Sequence, residues 1–236
     1  MKTMIPFLAG VALLATGADA APTPRKPARA KTAPRPAAAA VVPKAPLLPS
    51  PQGLFVADWI ATSGDNRKLP YAVIDKKAAT LTLYDAKGKA LDQVPVLIGI
   101  ALGDDATPGV GSKKLDEIGP AEKTTPAGRF LAKFGYAAGR QSVLWVDYAN
   151  SVAIHAIPAD AAKGEKRRER MLSPDPERHR ITFGCINVPR AFYAAKLQPL
   201  FRKKGGYVYV MPDIKPLEEV FPRLRVHALT TPTITS

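Results

Sequence analysis

The sequence predicts a mainly β fold, a single domain with one or two helices. Three observations carry that expectation. Short apolar runs rich in β-branched and aromatic residues recur along the chain, each bounded by Gly, Pro, Asn or Asp turn chemistry. One segment, "RAFYAAKLQPLFRKKGG", carries helical spacing instead. The roughly 185 residues beyond Pro51 are one domain's worth of chain, and at 46% apolar composition the sequence can fill a proper core.

Taken in order, "YAVIDKKAATLTLYDAKGKALDQVPVLIGI" reads as a β-meander. Tyr71 to Asp75 and Thr80 to Tyr84 are the first strands, Asp85-Ala86-Lys87-Gly88 supplies a turn, and Val94 to Ile100 is a further strand. A Gly- and Pro-punctuated loop follows; its "GVGSKK" lacks the spacing and the strand–helix setting of a phosphate-binding loop. After "TTPAG" the chain enters a strand at Arg129 to Phe134, and "SVLWVDY" and "SVAIHAIP" are two more. Residues 159–180 form an excursion with seven basic and five acidic residues, either a solvated loop or a lid. The helical segment then offers Phe192, Ala195, Leu197 and Leu200 as an apolar face, with Pro189 at its start and Gly205-Gly206 at its end. "YVYVM" closes the domain as a strand.

The ends say where the chain works. "MKTMIPFLAGVALLATGADAAPTP" has a basic start, an apolar stretch and a small-x-small site at Ala18-Asp19-Ala20, the layout of a secretory leader over 1–20. Its apolar run falls short of the ~20 residues that span a bilayer. No cysteine lies near the cut to take a lipid. The expected product is exported to the periplasm or cell envelope, without a transmembrane segment once the leader is removed. Residues 21–52 hold six basic residues, no acid and many prolines, the composition of an extended linker. It is either a solvated spacer or a segment drawn to an anionic envelope polymer, and with a net charge of +14 the chain favours acidic partners. Export argues against nucleic acid. Residues 53–70 lead into the domain at 71–212, and 213–236 trail as a C-terminal tail.

Cys185 is the only cysteine in the chain. In an oxidising compartment a lone thiol is an intermolecular partner, a reactive group, or an inert buried side chain. One Cys and three scattered His do not make a metal-ligand spacing. The thiol precedes the helical segment, whose N-terminal N–H groups would favour the thiolate and lower its pKa. Gly184 beside it would let a substrate carbonyl approach, and the N–H groups near Gly184 and Cys185 would serve an oxyanion. A cysteine nucleophile needs a base. His155 ends the apolar run "VAIHAIP", a rigid place for an imidazole, whereas His179 lies in the charged excursion and His227 in the tail.

The run "TFGCIN" resembles the signature of the L,D-transpeptidase (YkuD-type) catalytic domain, which has Ser or Thr, His, Gly, the nucleophilic Cys, a hydrophobic residue, then Asn or Arg. Thr182, Gly184, Cys185, Ile186 and Asn187 match it, and His155 fits the family's upstream His. "TTPAGRF" looks like the family's Thr-Pro-x-Gly-x-Phe strand, and the resemblance runs from about Tyr71 to Met211. It implies an L,D-transpeptidase-like β-sandwich and a cysteine acyltransferase of peptidoglycan with Cys185 and His155 catalytic. Thr182, Phe183, Gly184 and Asn187 would line the oxyanion and substrate site. The thiol would attack a stem-peptide carbonyl, release D-alanine and pass the thioester to an amine of another stem or of an envelope protein. No metal or organic cofactor is implied. A hydrolase on the same fold, or a non-catalytic peptidoglycan-binding module, are the alternatives. This sequence departs from the pattern at Phe183, where the family has His, at Ala156 after the upstream His, and in the longer segment between His155 and Thr182.

Overall fold

A computed structural model describes residues 48–137, 140–159 and 163–230. The leader expected over 1–20 and nearly all of the linker expected over 21–52 lie outside them. The first helix, α1, spans Pro51–Ser63, so it opens at the linker's end and fills most of the expected lead-in. Its start follows from sequence: the Ser50 hydroxyl accepts the Gly53 N–H at 2.9 Å, Pro51 sits where no donor is needed, and Gly64 closes it in the left-handed region.

The strands then follow as β1 (Tyr71–Asp75), β2 (Thr80–Tyr84), β3 (Ala90–Pro95), β4 (Ile98–Gly99), β5 (Gly128–Tyr136), β6 (Ser142–Asp147) and β7 (Val152–Ala156). Beyond β7 come the short helix α2 (Arg167–Met171), β8 (Arg180–Thr182) and β9 (Ile186–Val188). Next are helix α3 (Arg190–Phe192), a π-turn over Tyr193–Leu197 and α4 (Gln198–Phe201), then β10 (Gly206–Val210), α5 (Leu217–Val220) and α6 (Leu224–Thr230).

Eight strands are hydrogen-bonded in the order β3-β2-β1-β10-β5-β6-β7-β9, and β4 pairs with β8 apart from them. β5 makes the turn between the two layers: Gly128 to Ala132 pair with β10, Lys133 to Tyr136 with β6. The mainly β sandwich expected from the sequence is what forms. Its main core lies between the layers, with Ala72, Ile74, Leu81 and Val208 from one side meeting Leu144, Ile154, Ile186 and Val188 from the other. β1 and β10 are buried at every residue because their alternate side chains feed two cores. Tyr71, Val73, Tyr207 and Tyr209 point the other way, against Val56, Trp59 and Ile60 of α1 and Phe221 and Leu224 near α6.

Three expectations are corrected. Val94 to Ile100 is not one strand: β3 ends at Pro95, with a last bond from the Val96 N–H to the Ala79 carbonyl at 2.9 Å, and the chain restarts as β4 beside β8. Ala195 is exposed, not on the apolar face, because the π-turn ahead of Pro199 shifts the register; Phe192, Tyr193, Leu197 and Phe201 are the buried set. Helices also exceed the one or two expected, since short turns of α5 and α6 occupy the tail.

Candidate active site

β7 and β9 run parallel, with Ile154 opposite Ile186 and His155 opposite Asn187. The two isoleucines enter the core, so by alternation His155 and Asn187 project from the other face. Cys185 immediately precedes β9. Its thiol donates to the Ser151 carbonyl at 3.5 Å, across the start of β7, so among the described residues its hydrogen bond goes to Ser151 and not to His155.

The Cys185 loop is held from beneath. The buried Thr182 hydroxyl donates to the Cys185 carbonyl at 2.6 Å and accepts the Gly184 N–H at 3.2 Å. Thr125, also buried, donates to the Gly184 carbonyl at 2.8 Å and accepts the Gly99 N–H at 2.9 Å. Gly184 has φ +127°, and a Cβ there would lie 2.7 Å from the Thr124 carbonyl oxygen. So the close approach that requires glycine is made by the protein's own backbone, and the Gly184 amide is already occupied. Phe183 points outward at 37% exposure, with the Lys123 ammonium 3.7 Å from its ring centroid.

His155 has both ring nitrogens engaged. Nδ1 lies 2.9 Å from the Ala156 carbonyl oxygen, and Nε2 3.2 Å from Asn187 Nδ2. A carbonyl only accepts, so Nδ1 carries the proton and Nε2 the lone pair. Ala156 thus orients the imidazole through its main chain. Asn187, fully buried, also receives Arg167 Nη1 on Oδ1 at 2.6 Å, while Arg167 Nε and Nη2 fork onto the Glu165 carboxylate at 2.7 and 3.3 Å. Arg167 comes from the charged excursion, which is therefore packed onto the site and is no solvated loop throughout. Met171 and His179 in it are buried; each His179 ring nitrogen faces a carbonyl oxygen, of Val96 at 2.8 Å and of Ser173 at 3.0 Å.

The electrostatics reverse one expectation. Burial pushes the Cys185 thiol up, and the Ala153 N–H and the Arg167 charge only partly offset it. β9 lies between the thiol and α3, so Cys185 does not sit at the N-terminus of that helix. Burial likewise pushes the His155 imidazole down; the Ala156 carbonyl opposes this and Arg167 adds to it. Thiol and imidazole are thus both pushed toward their neutral forms, so an attack by the sulfur would require its proton to move. Among the described residues no group of three or more His, Cys, Asp or Glu is placed to hold a metal ion, and no helix is long and apolar enough to cross a membrane.

Sequence reasoning missed Arg167, one of several arginines in the excursion, and nothing in the spacing singles it out. It also missed the part played by Thr125, although "TTPAG" was marked. The signal available there was a Thr pair ahead of a Pro, which fixes a strand entry and leaves two hydroxyls to be satisfied.

No family model matches the sequence, and no curated protein matches it. Among solved structures the chain is similar to the K307A mutant of the helical cell shape determining protein Pgp2 from Campylobacter jejuni, at 17% identity and TM-score 0.41, covering 70% of this chain and 58% of that one. It is similar to an L,D-transpeptidase from Mycobacterium smegmatis, at 17% identity and TM-score 0.35, covering 60% and 58%. The catalytic domain of the E. faecium L,D-transpeptidase matches at 17% identity and TM-score 0.37, covering 61% of this chain and 98% of that one. This chain thus spans 58% of the length of the first two. With overlap this partial, the chemistry of the site rests on its own residues.

Proposed function

We propose that this protein is an exported cysteine acyltransferase of peptidoglycan, an L,D-transpeptidase acting on stem peptides. The observation that carries the proposal is the seating of His155: one edge of the paired strands β7 and β9 presents the imidazole, its Nδ1–H held by Ala156, beside the loop that holds the lone thiol. The "TFGCIN" and "TTPAGRF" resemblances support the same reading. Cys185 Sγ attacks the carbonyl of the third stem residue as its proton passes to His155 Nε2. The amide bond to the terminal D-alanine breaks, and the leaving amine takes that proton. An acceptor amine, of a second stem or an envelope protein, then attacks the thioester and loses a proton to His155, which passes it to the Cys185 thiolate as the C–S bond breaks. The energy of the cleaved bond is conserved in the thioester, so no ATP is consumed. Thr182 and Gly184 shape the turn that presents the sulfur, and Phe183 with Lys123 forms an exposed wall beside it. Residues 1–20 serve as the leader, 21–52 as a basic linker, and 71–212 as the catalytic domain.

The test is a digestion profile. The mature protein and its Cys185→Ala variant are incubated with purified muropeptides and the products identified by mass. Cross-linked dimers lost in the variant are expected; tripeptides alone would make water the acceptor and the protein a carboxypeptidase. If no stem length is consumed, or if the variant retains turnover, the proposal fails. His155→Ala should slow acylation by ~10²–10⁴-fold.

A further inference from the structure

The hydrogen-bond pattern around His155 has a direction, and Arg167 sets it. A guanidinium has donors only, so the atom of Asn187 that meets Arg167 Nη1 at 2.6 Å must be the amide oxygen. That leaves the NH2 group of Asn187 aimed at His155 Nε2, 3.2 Å away. An NH2 group donates, so Nε2 must be the unprotonated nitrogen, in agreement with the Nδ1–H bond to Ala156. A proton arriving at Nε2 would face the Asn187 donor head-on. Asn187 can relieve this by turning its amide, but turning would set NH2 against Arg167. The guanidinium is itself fixed by the fork to Glu165, whose carbonyl receives Arg170 Nε at 3.0 Å. Among the described residues the charged and titratable groups joined to this chain or acting on it are Arg167, Glu165, Arg170 and Cys185, and Asn187 is buried. The strand pairing alone would not produce such a chain; it exists because the excursion between β7 and β8 folds back over the site.

We propose that Arg167 is a positioning residue. Through Asn187 it holds His155 as the neutral Nδ1–H tautomer and occupies the lone pair at Nε2, so that Asn187 must turn before Nε2 can take a proton. The proposal rests on the reading of His155 as the base. The lowered imidazole agrees with it, since Arg167 is among the causes.

The experiment reads the imidazole directly and needs no substrate. Nitrogen-15 NMR of the mature protein, with His155 assigned by a His155→Gln variant, reports which ring nitrogen bears the proton and where the ring titrates. Wild type is expected to show protonated Nδ1 and bare Nε2 at neutral pH. In Arg167→Met the His155 midpoint should move up and the tautomers mix. Arg167→Lys, which keeps one donor and the charge, should restore the wild-type midpoint in large part. An Nε2–H tautomer in the wild-type protein overturns the proposal, whether or not the variants fold. So does an Arg167→Met protein that melts like wild type with His155 unchanged. If muropeptides are never consumed while the tautomer is as stated, the acyltransferase reading falls and the role of Arg167 stands.

Discussion

Two buried polar clusters in this domain solve the same problem in opposite ways. The first centres on Lys76, whose side chain is fully buried. Its ammonium reaches Asp104 at 2.9 Å, Asp213 at 3.1 Å and the carbonyls of Gly103 at 2.6 Å and Thr125 at 2.9 Å. Asp104 in turn accepts the N–H groups of Asp213, Ile214 and Lys215 at 2.6 to 2.8 Å, and Arg180 pairs with Asp213 at 2.7 Å. Every charge there is matched. The second cluster, Cys185 with His155, Asn187 and Arg167, keeps both reactive groups neutral, and its single formal cation is spent on Glu165. The difference separates an anchor from the proposed active site. Full ionic pairing fixes a geometry, whereas a thiol and imidazole pushed toward their neutral forms leave a proton still to be transferred. Thr125 joins the two: its carbonyl takes the Lys76 ammonium and its hydroxyl holds the Gly184 carbonyl beside Cys185.

That contrast is open to breakage, from the anchor outward. Asp104→Ala should cost the most, about 3–5 kcal/mol, because it strips a partner from a buried ammonium and orphans three N–H groups; thermal melting checks it. Gly184→Ala comes next, at about 1–3 kcal/mol of backbone strain before the clash with Thr124 is added, and it should displace the sulfur and slow its alkylation. Thr125→Val removes the bridge while keeping the shape. It leaves the Gly99 N–H and Gly184 carbonyl unpaired, for about 1–3 kcal/mol and a loss of thiol positioning visible in the same two assays. Equal melting of Thr125→Val and wild type would mean the two clusters are not linked.

Acid and base separate the clusters further. Burial works against the Asp104 carboxylate, but the N–H groups of Lys215 and Asp213, the Lys76 ammonium and the Ile214 N–H outweigh it and bring its pKa down to about 2. Folding therefore gains from Asp104 in full above its unfolded pKa of ~3.9, and that gain is lost as pH falls from there through 2. Melting temperatures measured across this window should drop, and the drop should shrink in Asp104→Ala. Cys185 gives the opposite signature: its alkylation by iodoacetamide should rise with pH and level off at a higher pH than that of a free thiol. A plateau near neutrality would mean a preformed thiolate and would erase the contrast.

Much of the frame was legible because burial on two faces leaves a mark. "YAVID", "TLTLY" and "YVYVM" are continuous apolar or β-branched runs, and they are the strands with a core on each side. The parallel pairing of β7 with β9 left no such mark, since it joins segments some thirty residues apart through an excursion of charged side chains. The expectation of an activated thiolate failed for a related reason. "CINVP" reads in sequence as a lead-in to the helix, but its Ile and Val belong to β9, and a strand end carries no comparable dipole. Pro199 was in plain view, and it moved Ala195 out of the core.

The centre of the large sheet has a consequence for assembly. β1 and β10 lie side by side in parallel, Tyr71 against Tyr207 through Ile74 against Val210, although the whole domain separates them in sequence. Strand pairs of that kind raise contact order and slow folding, because the loop they close must be ordered before the contact is rewarded. A chain emerging from its N-terminus has the β1–β2–β3 meander ready early, yet its central seam stays open until residues 206–210 arrive. Until then Tyr71 and Val73 have neither Tyr207 nor Tyr209 to pack against, and one edge of β1 is unpaired. The last strand to be made is the one that closes the sheet.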